Sequence, residues 1–468
     1  MPYRDLREYL ARLKAAGKLR HVARPVDKDW ELVAVTRRVF ERFPDERRPA
    51  LEFDVQGFDI PVVVGVLGAS REIYALALET TVDQIADRWT RAQSQPVPPV
   101  LVADGPVHEN VLTGEAVDVT RFPHPVWTVG QDPGPYLTAP CIVSKDPDTG
   151  QRNVGTYRLQ VKGRDKLGMN VSGPVKGMWS HMEKNERAGR DTPCAIVLGG
   201  DPTIGLTAVS PVPMGLDEYA VAGGLRGEPV ELVRCRTVDL EVPATAEIVL
   251  EGEVLGGVRE PEGPFGDYTG YVDLEGSDHV VMVRCVTFRQ QPIYHAFFSQ
   301  MPPSESSTIR GTGREGVILR HLRGLSLPVK TVHLLHAGGA AAYLAIAITK
   351  QHDAQPQQVM WAAWAVEPTL GKLTVIVDDD IDVRDPFQIN WALSWRVQPA
   401  RDVYVFRDTR PVGLDPSLPP EAKGVRTNLL ASKVGIDATK KHAYPGSSLP
   451  PREHLAQVDA AWPEYGLE

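Results

Sequence analysis

The sequence predicts a multidomain α+β protein, with helix and strand alternating at both ends and a mostly β middle. Three observations carry this prediction. The chain has 468 residues, beyond the size at which a single hydrophobic core keeps growing. Apolar residues recur at helical spacing in the first and last thirds, whereas residues from about 116 to 304 fall into short β-branched runs punctuated by Gly, Pro and Asp. Hydrophobic residues make up 42% and charged residues 24%, the balance of an ordinary globular chain rather than a disordered or fibrous one.

Taken in order, "YRDLREYLARLKAAG" places Leu6, Tyr9, Leu10 and Leu13 on one helical face, and Gly17 is its stop. "IPVVVGVLG" reads as a buried strand and "REIYALALETTVDQIADRWTRA" as a helix. The Pro-rich "QSQPVPPVLVADGP" then marks a boundary, giving an N-terminal α/β domain over 1–115. Residues 116–304, with runs such as "APCIVSKDPDTGQRNVGTYRLQVKG", "TPCAIVLGG", "AEIVLEGEV" and "DHVVMVRCVTF", predict an antiparallel barrel or sandwich interrupted by the helical "GMWSHMEKNERAG". "SESSTIRGTGREGVILRHLRGL" supplies a connecting helix over 305–328. Over 329–468 α/β alternation returns, with "LTVIVDDDIDV" as a strand and "PFQINWALSWRV" as a helix.

Composition also excludes partners. A net charge of −9 without a basic block disfavours nucleic acid. No run approaches the roughly 20 apolar residues of a membrane helix, and "MPYRDLREYLARLKAAGKLR" lacks the apolar segment of a secretory signal. A cytoplasmic protein is expected. Cys141, Cys194, Cys235 and Cys285 lie far apart, without the close pairing of a thiolate zinc site, and read as reduced and structural.

Several short stretches could carry chemistry. In "EGPFGDYTGY" Pro264 fixes φ and the glycines permit positive φ, so Glu262 and Asp267 flank a stiff turn that gives both acids defined directions. By itself the segment also reads as a surface turn with solvated acids. In "RNVGTYRLQ", Arg158 is either a solvated strand residue or a fork that grips a carboxylate in two parallel hydrogen bonds. His181 in "GMWSHMEK" and Glu218 in "GLDEYAVAGGLRG" each have a local alternative, a hydrogen-bonded helix histidine and a helix-capping or salt-bridging acid.

In chain order, "NVGTYR", "GLDEYAVAGGLRGEPVELVRC", "VPATAEIVLEGEV", "EGPFGDYTGY", "VDDDIDVRDP" and "SKVGIDATKK" give a sequence that resembles the UbiD-like decarboxylase family, whose cofactor is prenylated FMN. The resemblance implies an N-terminal α/β domain, a central flavin-binding split β-barrel and a C-terminal α/β oligomerisation domain. It implies that Asn153, His181 and Glu218 ligate a metal, and an amide oxygen, an imidazole and a carboxylate suit manganese or magnesium. That ion would bridge the protein to the flavin phosphate, which Lys372 in "LGKLTVIVDDD" also contacts. Thr156, Tyr157, Arg158 and Pro211 complete the cofactor-binding set, and a potassium ion often accompanies such sites.

Arg158, Glu262 and Asp267 are the implied catalytic residues, with Asp267 delivering the proton that replaces carbon dioxide. Most family members carry Glu where this chain has Asp267, shorter by one methylene or about 1.5 Å. The implied reaction is a reversible, non-oxidative decarboxylation of an aromatic, heteroaromatic or α,β-unsaturated carboxylic acid. The alternatives are an FMN-dependent split-barrel oxidoreductase and a non-catalytic flavin-binding paralogue disabled by Asp267. Implied partners are the small acid substrate, a flavin prenyltransferase that supplies the cofactor, and further copies of the chain, as a homodimer or a hexamer. Substrate selection falls to side chains of the barrel, the connecting helix and "GVRTNLLASK".

Overall fold

At the N-terminus, α1 (Leu6–Ala15) forms because the Asp5 carboxylate accepts from the Glu8 amide and Leu6, Tyr9, Leu10 and Leu13 share a buried face. β1 (Leu19–His21), α2 (Glu31–Arg42), β2 (Ala50–Phe53) and β3 (Val62–Val64) follow. These belong to a computed structural model that describes residues 2–171, 177–213, 215–274, 276–419, 430–446 and 448–466. The expectation of one helix from Arg71 to Ala92 is corrected. α3 (Arg71–Ala77) and α4 (Ile85–Ser94) are separate, because Glu79 takes a φ of 49° and the β-branched Thr80 and Thr81 follow it.

The middle of the chain contributes β4 (Val100–Leu101), β5 (Asn110–Thr113), β6 (Tyr136–Leu137), β7 (Cys141–Lys145), β8 (Arg152–Gly155), β9 (Leu159–Val161) and β10 (Lys166–Met169). Then come α5 (Gly177–Arg187), β11 (Thr192–Leu198), α6 (Pro202–Val209), α7 (Glu218–Arg226), β12 (Glu231–Arg234) and β13 (Glu241–Pro243). Two long strands, β14 (Ile248–Glu262) and β17 (Gly276–Phe288), bracket the short hairpin of β15 (Phe265–Gly266) and β16 (Val272–Asp273).

The central sheet runs β6-β9-β10-β17-β14-β11-β7-β8, with β5 on the far half of β17. β6 and β8 lie at opposite ends of that order, so the barrel is split rather than closed. β14 and β17 pair antiparallel with shifts of register between Glu251 and Gly252 and between Val254 and Arg259, irregularities that bend a long strand. Gly252 is required there, since a Cβ would lie 2.1 Å from the Met282 carbonyl. β4 pairs with β12 beside this sheet, and β18 (Tyr294–Ala296) returns to pair parallel with β3.

α8 (Glu305–Gly324) is opened by a capping box between Ser304 and Ser307. Its first half places Ile309 in the core shared by the N-terminal and central regions, with Tyr9, Tyr74, Trp127 and Phe298. Its second half places Ile318 and Leu322 in the C-terminal core. Burying each of these two contributes about 2 kcal/mol, so α8 is the spine on which both cores are built. The C-terminal region adds β19 (Val329–Leu334), β20 (Tyr343–Ile348), α9 (Gln355–Val366), β21 (Leu373–Asp378), α10 (Pro386–Arg396), α11 (Pro399–Asp402), β22 (Val403–Thr409), β23 (Ala431–Ala438) and α12 (Arg452–Ala460). Its sheet runs β19-β20-β21-β23-β22, with one core on each face.

Candidate active site

Asn153 lies in β8, directly opposite Ser144 of β7. The Ser144 hydroxyl stands 2.9 Å from Nδ1 of His181 on α5, which orients the imidazole and leaves Nε2 for another partner. Glu218 opens α7, whose N-cap Asp217 accepts from the Tyr219 amide. One Glu218 oxygen accepts from the Val154 amide at 3.0 Å, tying the acid to the residue after Asn153. Arg152 anchors this corner through Asp217 at 2.6 Å and Glu241 at 2.7 Å. The structure thus groups Asn153, His181 and Glu218 through Ser144 and Val154.

Burial raises the Glu218 carboxyl to about 7 and lowers the His181 imidazole. Asn153 Nδ2 and Thr156 Oγ1 are buried without a hydrogen-bond partner, two donors that a phosphate oxygen would satisfy. The start of α5 comes so close that a Cβ on Gly177 would lie 2.1 Å from Asn153 Oδ1. Neutral imidazole, amide oxygen and carboxylate form the donor set of a manganese- or magnesium-class ion. These residues fit a divalent cation holding a flavin phosphate.

A second group lies past Thr156 and Tyr157, where the chain enters β9. The Arg158 guanidinium grips Glu262 at both oxygens, Nε to Oε1 at 2.9 Å and Nη2 to Oε2 at 2.8 Å, and packs 4.9 Å from the Phe265 ring. Burial opposes its charge, but the Glu262 bonds and charge prevail and hold the guanidinium more firmly protonated. Glu262 ends β14 and is only 1% exposed. Gly263, at φ 82°, donates its amide to the Tyr136 hydroxyl at 3.2 Å.

Asp267 Oδ2 lies 3.9 Å from Arg158 Nη1, and Asp273 Oδ2 lies 3.9 Å from Nη2. Burial raises the Asp267 carboxyl above the usual range, against the pull of the Tyr268 amide and of the Arg158 and Arg310 charges. Arg158 therefore faces three acids, Glu262 in two close hydrogen bonds and Asp273 and Asp267 at longer range, of which Asp267 is biased toward its protonated form. Such a split of proton affinities suits proton delivery.

Sequence reasoning missed Asp273, Asn170 and Arg310. Asn170 donates to Asp278 at 2.6 Å and to Glu262 at 3.4 Å. Asp273 faces Phe265 across the β15–β16 hairpin, and reading "FGDYTGYVD" as a hairpin would have found it. Lys372 belongs to a different neighbourhood in its contacts, because its ammonium is held by Asp415 at 2.8 Å and Ser417 at 2.6 Å. Pro211 lies between α6 and α7, where it lines a cavity of about 330 Å³ with Arg314 and Glu367. Residues 424–429 of the expected specificity segment lie outside the described residues.

The fold and this pair of clusters define a class. Residues 100–302 match the 3-octaprenyl-4-hydroxybenzoate carboxy-lyase Rift-related domain, residues 10–93 the N-terminal domain and residues 307–438 the C-terminal domain of that family. The chain belongs to the UbiD family of carboxy-lyases. It is similar over 97% of its length to 99% of the UbiD-class enzyme HmfF from Pelotomaculum thermopropionicum in complex with FMN, at 36% identity and a TM-score of 0.87. An evolved dimeric form of HmfF in complex with prenylated FMN matches at 35% identity and a TM-score of 0.85, covering 98% of this chain and 100% of that one. The apo 3,4-dihydroxybenzoic acid decarboxylase of Enterobacter cloacae matches at 28% identity and a TM-score of 0.85, covering 98% and 100%. No helix among the described residues is long and apolar enough to cross a membrane.

Proposed function

We propose that this chain catalyses the reversible, non-oxidative decarboxylation of an aromatic, heteroaromatic or α,β-unsaturated carboxylic acid, using prenylated FMN. The observation that carries this is the two-pronged Arg158–Glu262 pair with Asp267 beside it, in a chain 36% identical to an FMN-binding UbiD-class enzyme. Asn153, His181 and Glu218 would hold manganese or magnesium, with potassium nearby, against the flavin phosphate, and Thr156, Tyr157 and Pro211 would line the cofactor, whereas Lys372 is held by Asp415 and Ser417 instead. When bound, prenylated FMN supplies the electron sink that lets carbon dioxide leave.

The protein's own residues position and protonate. Because Glu262 already neutralises Arg158, the substrate carboxylate sits beside a balanced pair rather than a bare cation, so its negative charge is not stabilised against loss. The protonated Asp267 delivers its proton to the carbon that has lost carbon dioxide, and water restores it. Its side chain is about 1.5 Å shorter than glutamate, so the reacting carbon must lie correspondingly nearer the β15–β16 hairpin.

The partners in this reading are the acid substrate, a flavin prenyltransferase and a second copy of the chain. The helical face of Phe387 and Trp395 on α10 is 76% and 72% exposed, and α12 buries no residue of its own. One apolar face covering the other across a two-fold axis would resolve both.

The test is a screen of holoenzyme, expressed with a flavin prenyltransferase, against aromatic, heteroaromatic and acrylic acids, with carbon dioxide release as readout. Turnover by wild type and none by Glu262→Gln is the expected result. Full activity in Glu262→Gln overturns the assignment. The absorption spectrum and mass of the bound flavin, with and without the prenyltransferase, separate this function from simple FMN redox chemistry.

A further inference from the structure

The acids Glu262 and Asp267 are separated by four residues that strand pairing alone holds poorly. β14 ends at Glu262, Pro264 has no amide proton, and β15 meets β16 only at Phe265–Asp273 and Gly266–Val272. The turn is gripped instead by the segment 127–136, which leads into β6. The Tyr136 hydroxyl accepts from the Gly263 amide at 3.2 Å, directly after Glu262. Its ring packs on the Phe265 ring with centroids 4.4 Å apart, and Phe265 in turn carries the Arg158 guanidinium at 4.9 Å. At the other end of the turn, Gly266 approaches Thr128 so closely that a Cβ would lie 2.6 Å from Thr128 Oγ1. The Gly266 amide also acts on the Asp132 carboxyl, and the next residue is Asp267.

The segment is itself braced. One Asp132 oxygen accepts from the Trp127 amide at 2.9 Å and from the Thr128 amide at 2.7 Å, closing a turn in which the Gln131 and Asp132 amides donate to the Thr128 carbonyl. The buried Trp127 indole donates to the Tyr136 carbonyl at 3.3 Å, so the two ends of the segment are tied to each other. Gln300 donates to the Trp127 carbonyl and to Thr128 Oγ1. A loop fastened in this way is a template, and its contacts fall on Gly263, Phe265 and Gly266, the residues between the two acids.

We propose that segment 127–136 is a positioning element for the reaction: Tyr136 fixes Glu262 and, through Phe265, Arg158, while Thr128 and Asp132 fix Asp267. This rests on the decarboxylase function proposed above. Two demands meet on the turn. Glu262 must stay in register with both Arg158 nitrogens, and the short Asp267 must keep its proton within hydrogen-bond reach of the carbon it protonates. A misplacement of about 1 Å lowers turnover by up to about a hundredfold, whereas binding of acid and flavin draws on other contacts. A turn held for stability alone would behave differently, since loosening it would lower stability and leave turnover per folded, flavin-loaded enzyme unchanged.

The test uses two variants. Tyr136→Phe removes one hydroxyl and keeps the ring on Phe265, and Asp132→Asn replaces an acceptor oxygen by a donor at equal size. Holoenzyme of each is assayed on an acid that wild type turns over, with rates taken per bound flavin. The expected result is a kcat lower by about tenfold or more in both, in line with the loss of one hydrogen bond. KM and FMN affinity should stay within about threefold of wild type, the signature of an interaction that serves the transition state. Hydrogen exchange of the peptide spanning 262–268, read by mass spectrometry, should be faster in Tyr136→Phe than in wild type. Circular dichroism shows whether each variant is folded, and the folded one decides if the other is not.

A wild-type kcat in both variants, with lowered thermal stability, assigns the segment to stability alone and overturns the inference. Unchanged exchange over 262–268 does the same. A loss confined to KM or to FMN affinity would place Tyr136 and Asp132 at the substrate or the flavin and overturns it too. If wild type turns over an acid and the variants match it, the decarboxylase function stands and only the positioning inference falls. If no acid in the wider screen is turned over, both fall.

Discussion

Arg158 meets Glu262 in a geometry that lysine cannot copy, two parallel hydrogen bonds from one planar group. Arg158→Lys is therefore expected to lower kcat by about a hundredfold or more while the far-ultraviolet circular dichroism spectrum stays that of wild type. At Asp267 the expectation concerns pH. Burial raises this carboxyl, so its protonated form persists above the usual carboxylate range. The rate should hold at low pH and fall as pH rises through the raised value. Asp267→Asn should remove both that falling limb and most of the rate, and a pH–rate profile of the holoenzyme checks it. Much at this scale was legible in the sequence. Arg158, Glu262 and Asp267 were singled out by the resemblance of their short segments to the family's motifs, since each segment alone also reads as an ordinary strand or surface turn. Asp273 was not, because it reaches Arg158 only through the pairing of β15 with β16.

Among the elements, α8 has the most depending on it. Glu315 in its middle accepts from Arg71 of α3 at 2.6 Å, from the Leu334 amide of β19 at 2.9 Å, and lies 2.8 Å from His333 Nδ1. Three regions of the chain thus meet on one buried carboxylate. Glu315→Gln leaves Arg71 buried without its counter-charge and is expected to cost roughly 3–5 kcal/mol, measured by denaturant unfolding. Burial opposes its charge, but Arg71 and His333 prevail and depress the Glu315 carboxyl to about 2. A folded-state value below the unfolded one contributes stability that is present above the ordinary carboxylate range and lost as pH falls toward about 2. The acid limb of the stability profile should accordingly flatten in Glu315→Gln. Helical spacing and the Ser304 cap announced α8 in the sequence. Nothing local revealed that Glu315 faces inward, since on a helix that leans on two cores nearly every side finds a neighbour.

For the whole molecule, the proposed self-association rests on apolar side chains that one chain leaves exposed. Under the proposed self-association, the exposed Phe387 and Trp395 of α10, with the unburied α12, would meet a second copy. Phe387→Ser together with Trp395→Ser is expected to shift the protein toward monomer in light scattering at micromolar concentration. An unchanged mass would move the interface elsewhere. Charge at this scale was readable directly, since −9 is a sum over residues and needs no fold.

Local chemistry decides local matters. Caps, apolar periodicity and turn residues set where α1, α8 and α10 begin, and the ordered short motifs marked out the family, because these signals act over a few residues. Which acid neutralises which arginine was settled only by tertiary structure. Arg158 and Glu262 are 104 positions apart, and they meet because the central sheet carries both β9 and β14, with β10 and β17 between them. The same closure brings Arg314 and Glu367, 53 positions apart, into one cavity. Charge balance in a buried site is a property of three-dimensional neighbours, and a linear chain of residues does not contain it.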